Sequence, residues 1–153
     1  MDPFEARLEI LIVALVVSGM MTGAGLYEQA VLDTAWPARP DLVRPSEGGV
    51  NRKLFWVPGN VVAIAALLAA TGAAWPIPKA RYAALAALGL FALINLVTVS
   101  YFRPAVLRIE RVAPPRDDPA SRTWVQRSCW RTPLALAVNA AMALALLYFW
   151  RGV

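Results

Sequence analysis

The chain has 153 residues, of which 59% are hydrophobic and 16% charged, with a mean hydropathy of +0.53; that charge is too sparse to cover a soluble surface at this apolar content. The net charge is +5, but the basic residues lie between apolar runs, where Lys and Arg set membrane topology rather than bind nucleic acid. There is no histidine and a single cysteine, Cys129, which excludes His-dependent catalytic triads, His-ligated haem or metal, cysteine-held clusters and an intramolecular disulfide; no cofactor and no metal are expected.

The first uncharged run covers residues 10–26, between Glu9 and Glu28. It predicts a membrane helix over about residues 8–31. The segment before it, MDPFEARLE, is acidic on balance, unlike the basic start of a cleaved signal peptide. Gly19 and Gly23 stand four apart, a spacing that lets another helix approach closely. The second run predicts a helix over about residues 54–75, with Pro58 in a first turn that tolerates it and Trp75-Pro76-Ile77-Pro78 ending it. The third helix is expected over about residues 81–102, closed by Tyr101, Phe102, Arg103 and Pro104. The fourth is expected over about residues 132–150, closed by Tyr148, Phe149, Trp150 and Arg151.

Within a bilayer only helices or closed barrels satisfy the backbone, and these runs are continuous and Ala/Leu-rich rather than alternating. The expected fold is therefore all-α: an integral membrane four-helix bundle, antiparallel and up-down, spanning 1–153 as a single domain with no folded soluble domain beside it. A tight turn joins helices two and three. Two long loops, about residues 32–53 and 103–131, fall on one side. That side carries eleven of the fifteen basic residues, the other only Arg7, Lys79, Arg81 and Arg151. The positive-inside rule then places the long loops in the cytoplasm and both termini outside.

The alternation of helices also gathers the polar residues. Tyr27 and Glu28, Trp56 and Asn60, Asn95, Thr98 and Tyr101, and Asn139 with Arg131 at its helix entry all belong to the long-loop half. Trp36 flanks the same loop. A polar side chain in hydrocarbon needs a partner, so these should face inward. Two readings stand side by side: a polar ligand pocket lined by Trp36, Trp56, Asn60, Asn95, Thr98, Tyr101 and Asn139, or asparagines serving as interhelical glue at about 1 kcal/mol each. Glu28 is singled out as the acid placed within the bilayer boundary, where an ionisable residue is a functional candidate by default. Its structural counterpart is an interfacial carboxylate paired with Arg52, Arg127 or Arg131.

Gly25-Leu26-Tyr27-Glu28, Trp36-Pro37, Phe55-Trp56-Val57-Pro58, and Thr98 with Tyr101-Phe102 and Pro104 together resemble the anthrone-oxygenase-like family of small four-helix bacterial membrane proteins. The resemblance runs through residues 19–104. It implies a location in the bacterial inner membrane and a bundle that binds a flat hydrophobic molecule. In its catalytic branch it implies metal-free and flavin-free oxidation of an anthrone, with Glu28 and Tyr27 as catalytic candidates: Glu28 as the base, Tyr27 and Asn95 stabilising the oxyanion. The lack of histidine departs from any His-dependent version. Two other classes remain open. One is a non-catalytic accessory or scaffold subunit of a larger membrane complex; the other is a small proton-coupled transporter, disfavoured by the position of Glu28 at a helix end. The expected partners are the lipid bilayer, a hydrophobic small molecule, and a membrane protein or second copy of the chain, but not nucleic acid.

Overall fold

A computed structural model describes residues 2–112 and 118–152. Four long helices form the body of the molecule, and no strand occurs among the described residues. Helix α1 (Pro3–Tyr27) starts earlier than expected, because Asp2 accepts from the Phe4 N–H and Pro3 occupies the first helical position. It continues through a π-helical turn (Glu28–Leu32) and a last turn (Asp33–Ala35). Helix α2 (Lys53–Ala74) and α3 (Pro78–Val97) follow, joined by the Trp75–Ile77 turn. A second π turn (Thr98–Phe102) carries α3 directly into α4 (Arg103–Val112). Then come α5 (Pro119–Ser128) and α6 (Arg131–Arg151).

Two prolines behave differently from the sequence expectation. Pro58 lies inside α2, five residues after its start, and leaves the Leu54 carbonyl without its helical donor. Pro104 does not end the third helix. The π turn immediately before it widens the backbone where a proline ring would crowd the carbonyl of Ser100, so the helix runs on to Val112. Pro114, Pro115, Arg116 and Asp117 lie outside the described residues.

Helix α1 packs against α2 and α6, and α3 packs against α2 and, most extensively, α6. Each helix thus touches two antiparallel neighbours, the four corners of an up-down bundle. Its interior is built from small residues. Ala14, Ala63, Ala70, Ala84, Ala87 and Ala145 are completely buried, with Leu11, Leu67, Phe91, Met142 and Phe149 filling between them. Large apolar side chains such as Val13, Val16, Val61, Leu68, Leu96 and Leu136 point outward. A soluble bundle would invert this arrangement. In lipid, outward Leu and Val face a solvent as apolar as themselves, while inward alanines let the backbones close together. All four helices are long and apolar enough to cross a bilayer, and the chain is a multi-pass membrane protein.

The helices exceed the membrane on the long-loop side. The continuous helix Pro3–Ala35 has 33 residues, about 50 Å at ~1.5 Å per residue, against a hydrocarbon core of about 30 Å. Around the protruding ends a second, aromatic core forms from Trp36, Val43, Phe102 and Trp124, with Leu42, Val106, Val125 and Trp130 packed against it. The loops therefore build a small cap over the helix ends.

The loop between α1 and α2 is knitted by its own backbone. It forms two 3₁₀ turns, Pro40–Val43 and Pro45–Glu47, and returns on itself through Val50 N–H to Leu42 O at 2.8 Å. Gly48 takes φ 85°, and any Cβ on Gly49 would lie 2.3 Å from the Asp41 carbonyl oxygen. Ion pairs Arg39–Asp41 and Arg44–Glu47 brace the turn.

Replacing Ala84, fully buried among the helices, by Leu should cost about 1–3 kcal/mol by overpacking, read as a lowered thermal midpoint in detergent. Leu68→Ala on the outward face should leave the midpoint within error of the parent.

Candidate functional site

The site begins with a backbone irregularity. Glu28 and Asp33 are five residues apart. On a regular α-helix, at about 100° per residue, they would diverge by roughly 140°. The π turn between them bonds i to i+5, with the Asp33 N–H donating to the Glu28 carbonyl, and brings the two carboxylates onto one side. That side meets Arg52, the residue at the N-cap of α2.

Arg52 serves both acids. Its Nη2 donates to Asp33 Oδ1 at 3.2 Å, and its Nε stands 2.9 Å from Glu28 Oε1. The two contacts differ in quality. The bond to Asp33 is a directed hydrogen bond. The contact to Glu28 is a close ion pair whose N–H is not aligned on the oxygen.

Asp33 is also the more enclosed acid, 2% exposed. It accepts from the Trp36 indole at 3.2 Å, and the Ser128 hydroxyl lies 3.5 Å from its other oxygen. Glu28 has the indole of Trp56 within hydrogen-bonding reach and keeps 16% of its side chain exposed. Asp33 thus has three donors and serves as the anchor, while Glu28 retains acceptor capacity.

Arg131 opens α6 and completes the cluster. Its guanidinium lies 4.9 Å over the Phe102 ring and 5.6 Å from Trp124, while its Nε donates to the Ser128 carbonyl at 3.3 Å. Arg52 also approaches Trp124, at 5.7 Å. Trp36, Phe102 and Trp124 meet edge to face at 5.7–5.8 Å, and Trp130 lies against Phe102. The Trp124 N–H is tied to the Phe102 carbonyl. Two acids and two arginines are therefore set into an aromatic floor where the membrane bundle meets the cap.

Of the residues singled out from sequence, Glu28, Trp36 and Trp56 come together here. Tyr27, next to Glu28, is 67% exposed and turned away from the acid cluster. Tyr101 is exposed and takes a short hydrogen bond from Arg127. Asn60, Asn95 and Thr98 are half-buried and donate back into their own helices, to the carbonyls of Trp56 (2.6 Å), Phe91 (3.0 Å) and Ile94 (2.7 Å).

Asn139 sits deeper, between α6 and α1. It accepts from Ser18 at 3.1 Å and donates to Thr22 at 2.5 Å and to the Ala135 carbonyl at 2.9 Å. This is a closed interhelical network between α6 and α1. Asp33 is not among the residues the sequence singles out, because the first helix is expected to end near residue 31 and Asp33 then falls in the loop. Phe102, Trp124 and Trp130 read in the sequence only as residues at a span end or in a loop.

Open depressions mark the surface of the described residues, among them two of similar size. A groove of about 330 Å³ lies between α1 and α2 on the far half, lined by Ala6, Glu9, Ile10, Val13, Ala66 and Ala69. Another, about 350 Å³, runs between Asp33, Thr34, Pro37 and Ala38 and the α5 residues Arg122, Val125 and Gln126. The second reaches the junction cluster through Asp33; neither is lined by Glu28.

Removing the shared cation tests the geometry. Arg52→Gln leaves two enclosed carboxylates uncompensated and should lower stability by about 3–5 kcal/mol. Adding Glu28→Gln and Asp33→Asn to it should recover most of that loss, measured by thermal unfolding in detergent. Asn139→Ala should cost about 1 kcal/mol, the usual worth of an interhelical hydrogen bond in a membrane bundle.

No family model, no curated protein and no solved structure matches this chain.

Proposed function

We propose that the junction cluster is a binding site for a hydrophobic, aromatic or quinone-like molecule held at the membrane surface by its polar oxygens. The observation that carries this reading is the unequal use of the two acids. Asp33 receives three donors, whereas Glu28 has a misaligned ion pair, the Trp56 indole within reach and residual exposure. Ionisable groups at membrane depth are costly and are retained mainly where they act on something. The half-buried Trp56, whose indole is within hydrogen-bonding reach of Glu28, offers an aromatic face beside that carboxylate.

The reaction such a site suits is the one the sequence resemblance implies, a cofactor-free oxygenation. Glu28 takes a proton from the bound carbon acid, and the guanidinium of Arg52, released from Glu28 as that carboxylate is neutralised, stabilises the enolate oxygen. The enolate carbon then adds molecular oxygen, and the resulting peroxide takes back the proton from Glu28 and loses water to leave the new carbonyl of the quinone. In this scheme Arg52 takes the oxyanion role assigned from sequence to Tyr27 and Asn95, whose side chains are turned away or engaged in their own helix. In this reading the membrane is the bacterial inner membrane, as the resemblance implies, and the cap faces the cytoplasm, which the excess of Lys and Arg on the long-loop side supports.

A second reading, a non-catalytic subunit of a larger membrane complex, is favoured by a separate observation. The Ser18–Thr22–Asn139 network is internally satisfied, and both acids have Arg52 as counter-charge, as in a structural lock. Native mass spectrometry of the purified protein separates the two. The site reading expects a small aromatic molecule to accompany the wild type and to be lost at least tenfold, about 1.4 kcal/mol, in Glu28→Gln, with the fold intact. A protein partner retained equally by both forms, with no small molecule, would establish the subunit reading instead.

A further inference from the structure

The groove between α1 and α2 on the half opposite the long loops belongs to no part of the junction cluster. Ala6, Ala66 and Ala69 are too small to close the seam between the two helices, and Ile10 and Val13 wall it. Ile10, Val13 and Ala69 are exposed, on helices that cross the bilayer, so the groove opens sideways into lipid.

One charge lines it. Glu9 is exposed and stands where the uncharged run 10–26 begins, at the membrane boundary. Among the described residues no hydrogen bond or ion pair involves Glu9. Arg7 is two positions away, about 200° around a helix that turns ~100° per residue, so it points to the other side. Glu5, one turn earlier, lies on the flank of Glu9. Arg81, at the same end of the bundle, lies over the rings of Trp75 and Tyr82. The mouth of the groove is therefore negative and unpaired.

Size selects the kind of occupant. From Ala6 to Val13 the helix rises about 10 Å at ~1.5 Å per residue, which gives the groove of about 330 Å³ a mean cross-section of roughly 30 Å². A helix about 10–12 Å across needs roughly 80–110 Å². The groove is the width of a hydrocarbon chain, not of another helix.

We infer that this groove holds one acyl chain of a phospholipid whose head carries a primary ammonium, and that the ammonium docks on the Glu9 carboxylate. The chain gains packing contacts rather than hydrophobic burial, because it leaves lipid for a surface equally apolar. Selectivity therefore comes from Glu9. A primary ammonium donates a charge-assisted hydrogen bond to a carboxylate, whereas a trimethylated one holds its charge behind methyl groups. The site goes beyond the function proposed for the Glu28–Arg52 cluster and stands or falls without it.

The test is photo-crosslinking of the full chain in phosphatidylcholine nanodiscs. The probes are traces of phosphatidylethanolamine or phosphatidylcholine with the same diazirine-bearing acyl chain, and the adducts are mapped by peptide mass spectrometry. In the wild type, adducts should concentrate on residues 6–13 and 66–69, with the ethanolamine probe about threefold above the choline probe, the scale of an exposed ion pair. Glu9→Gln should equalise the two probes, and Ala69→Phe, which fills the groove from an exposed position, should remove both from these segments. The wild-type comparison stands even if a variant fails to fold.

Adducts spread evenly over the lipid-facing surface overturn the groove as a lipid site. Equal yields from both probes in the wild type, or an ethanolamine preference undiminished in folded Glu9→Gln, overturn the docking on Glu9. A wild-type dimer that Ala69→Phe dissolves overturns the lipid in favour of a second copy of the chain.

Discussion

Arg52 reaches two carboxylates on one helix, and that is possible only because the helix is not regular between them. The Glu28–Leu32 π turn rotates Asp33 back toward the side occupied by Glu28, and one guanidinium then bridges both. The contact joins the end of α1 to the start of α2 across the loop that connects them. It also fixes Trp36 through Asp33, and Trp36 is the centre of the cap. A salt bridge enclosed this way contributes little net stability over an apolar substitute, but breaking one partner leaves a charge without compensation. Its main effect is therefore to specify a unique arrangement, not to add stability.

The molecule has two cores with opposite logic. The membrane core is made of alanine, because helices in lipid gain from close backbone approach and have no hydrophobic drive to bury Leu or Val inward. The cap core is made of tryptophan and phenylalanine, because beyond the hydrocarbon water returns and large apolar area becomes worth enclosing. The charged cluster lies between the two. There it can be shielded by aromatic rings on one side while remaining within reach of headgroups or water on the other. The second π turn, at Thr98–Phe102, lies at the same end and turns Phe102 into the cap, so both irregular turns serve the junction.

The asparagines illustrate how polar groups in a bundle divide between adhesion and chemistry. Asn139 binds a neighbouring helix through Ser18 and Thr22, whereas Asn60 and Asn95 return a donor to their own backbones. None of these bonds links one asparagine to another. The charged cluster is built instead from residues at helix ends: Glu28, Asp33, Arg52 and Arg131.

Hydropathy alone was enough to mark four spans, their alternation and the common side of both long loops, since each requires only uncharged length and the parity of crossings. The gathering of Glu28, Trp36 and Trp56 was legible for the same reason: antiparallel order brings those helix ends to one membrane face. What sequence spacing could not reveal was the pairing of Asp33 with Glu28, because a π turn changes angular register without a residue signature. The persistence of the third helix past Pro104 was hidden by that same backbone widening. The aromatic floor under Arg131 was beyond reach as well, because Phe102, Trp124 and Trp130 come from separate elements whose meeting is decided by how the cap packs. Local pattern reports which residues must leave water; only the packed chain decides which of them meet.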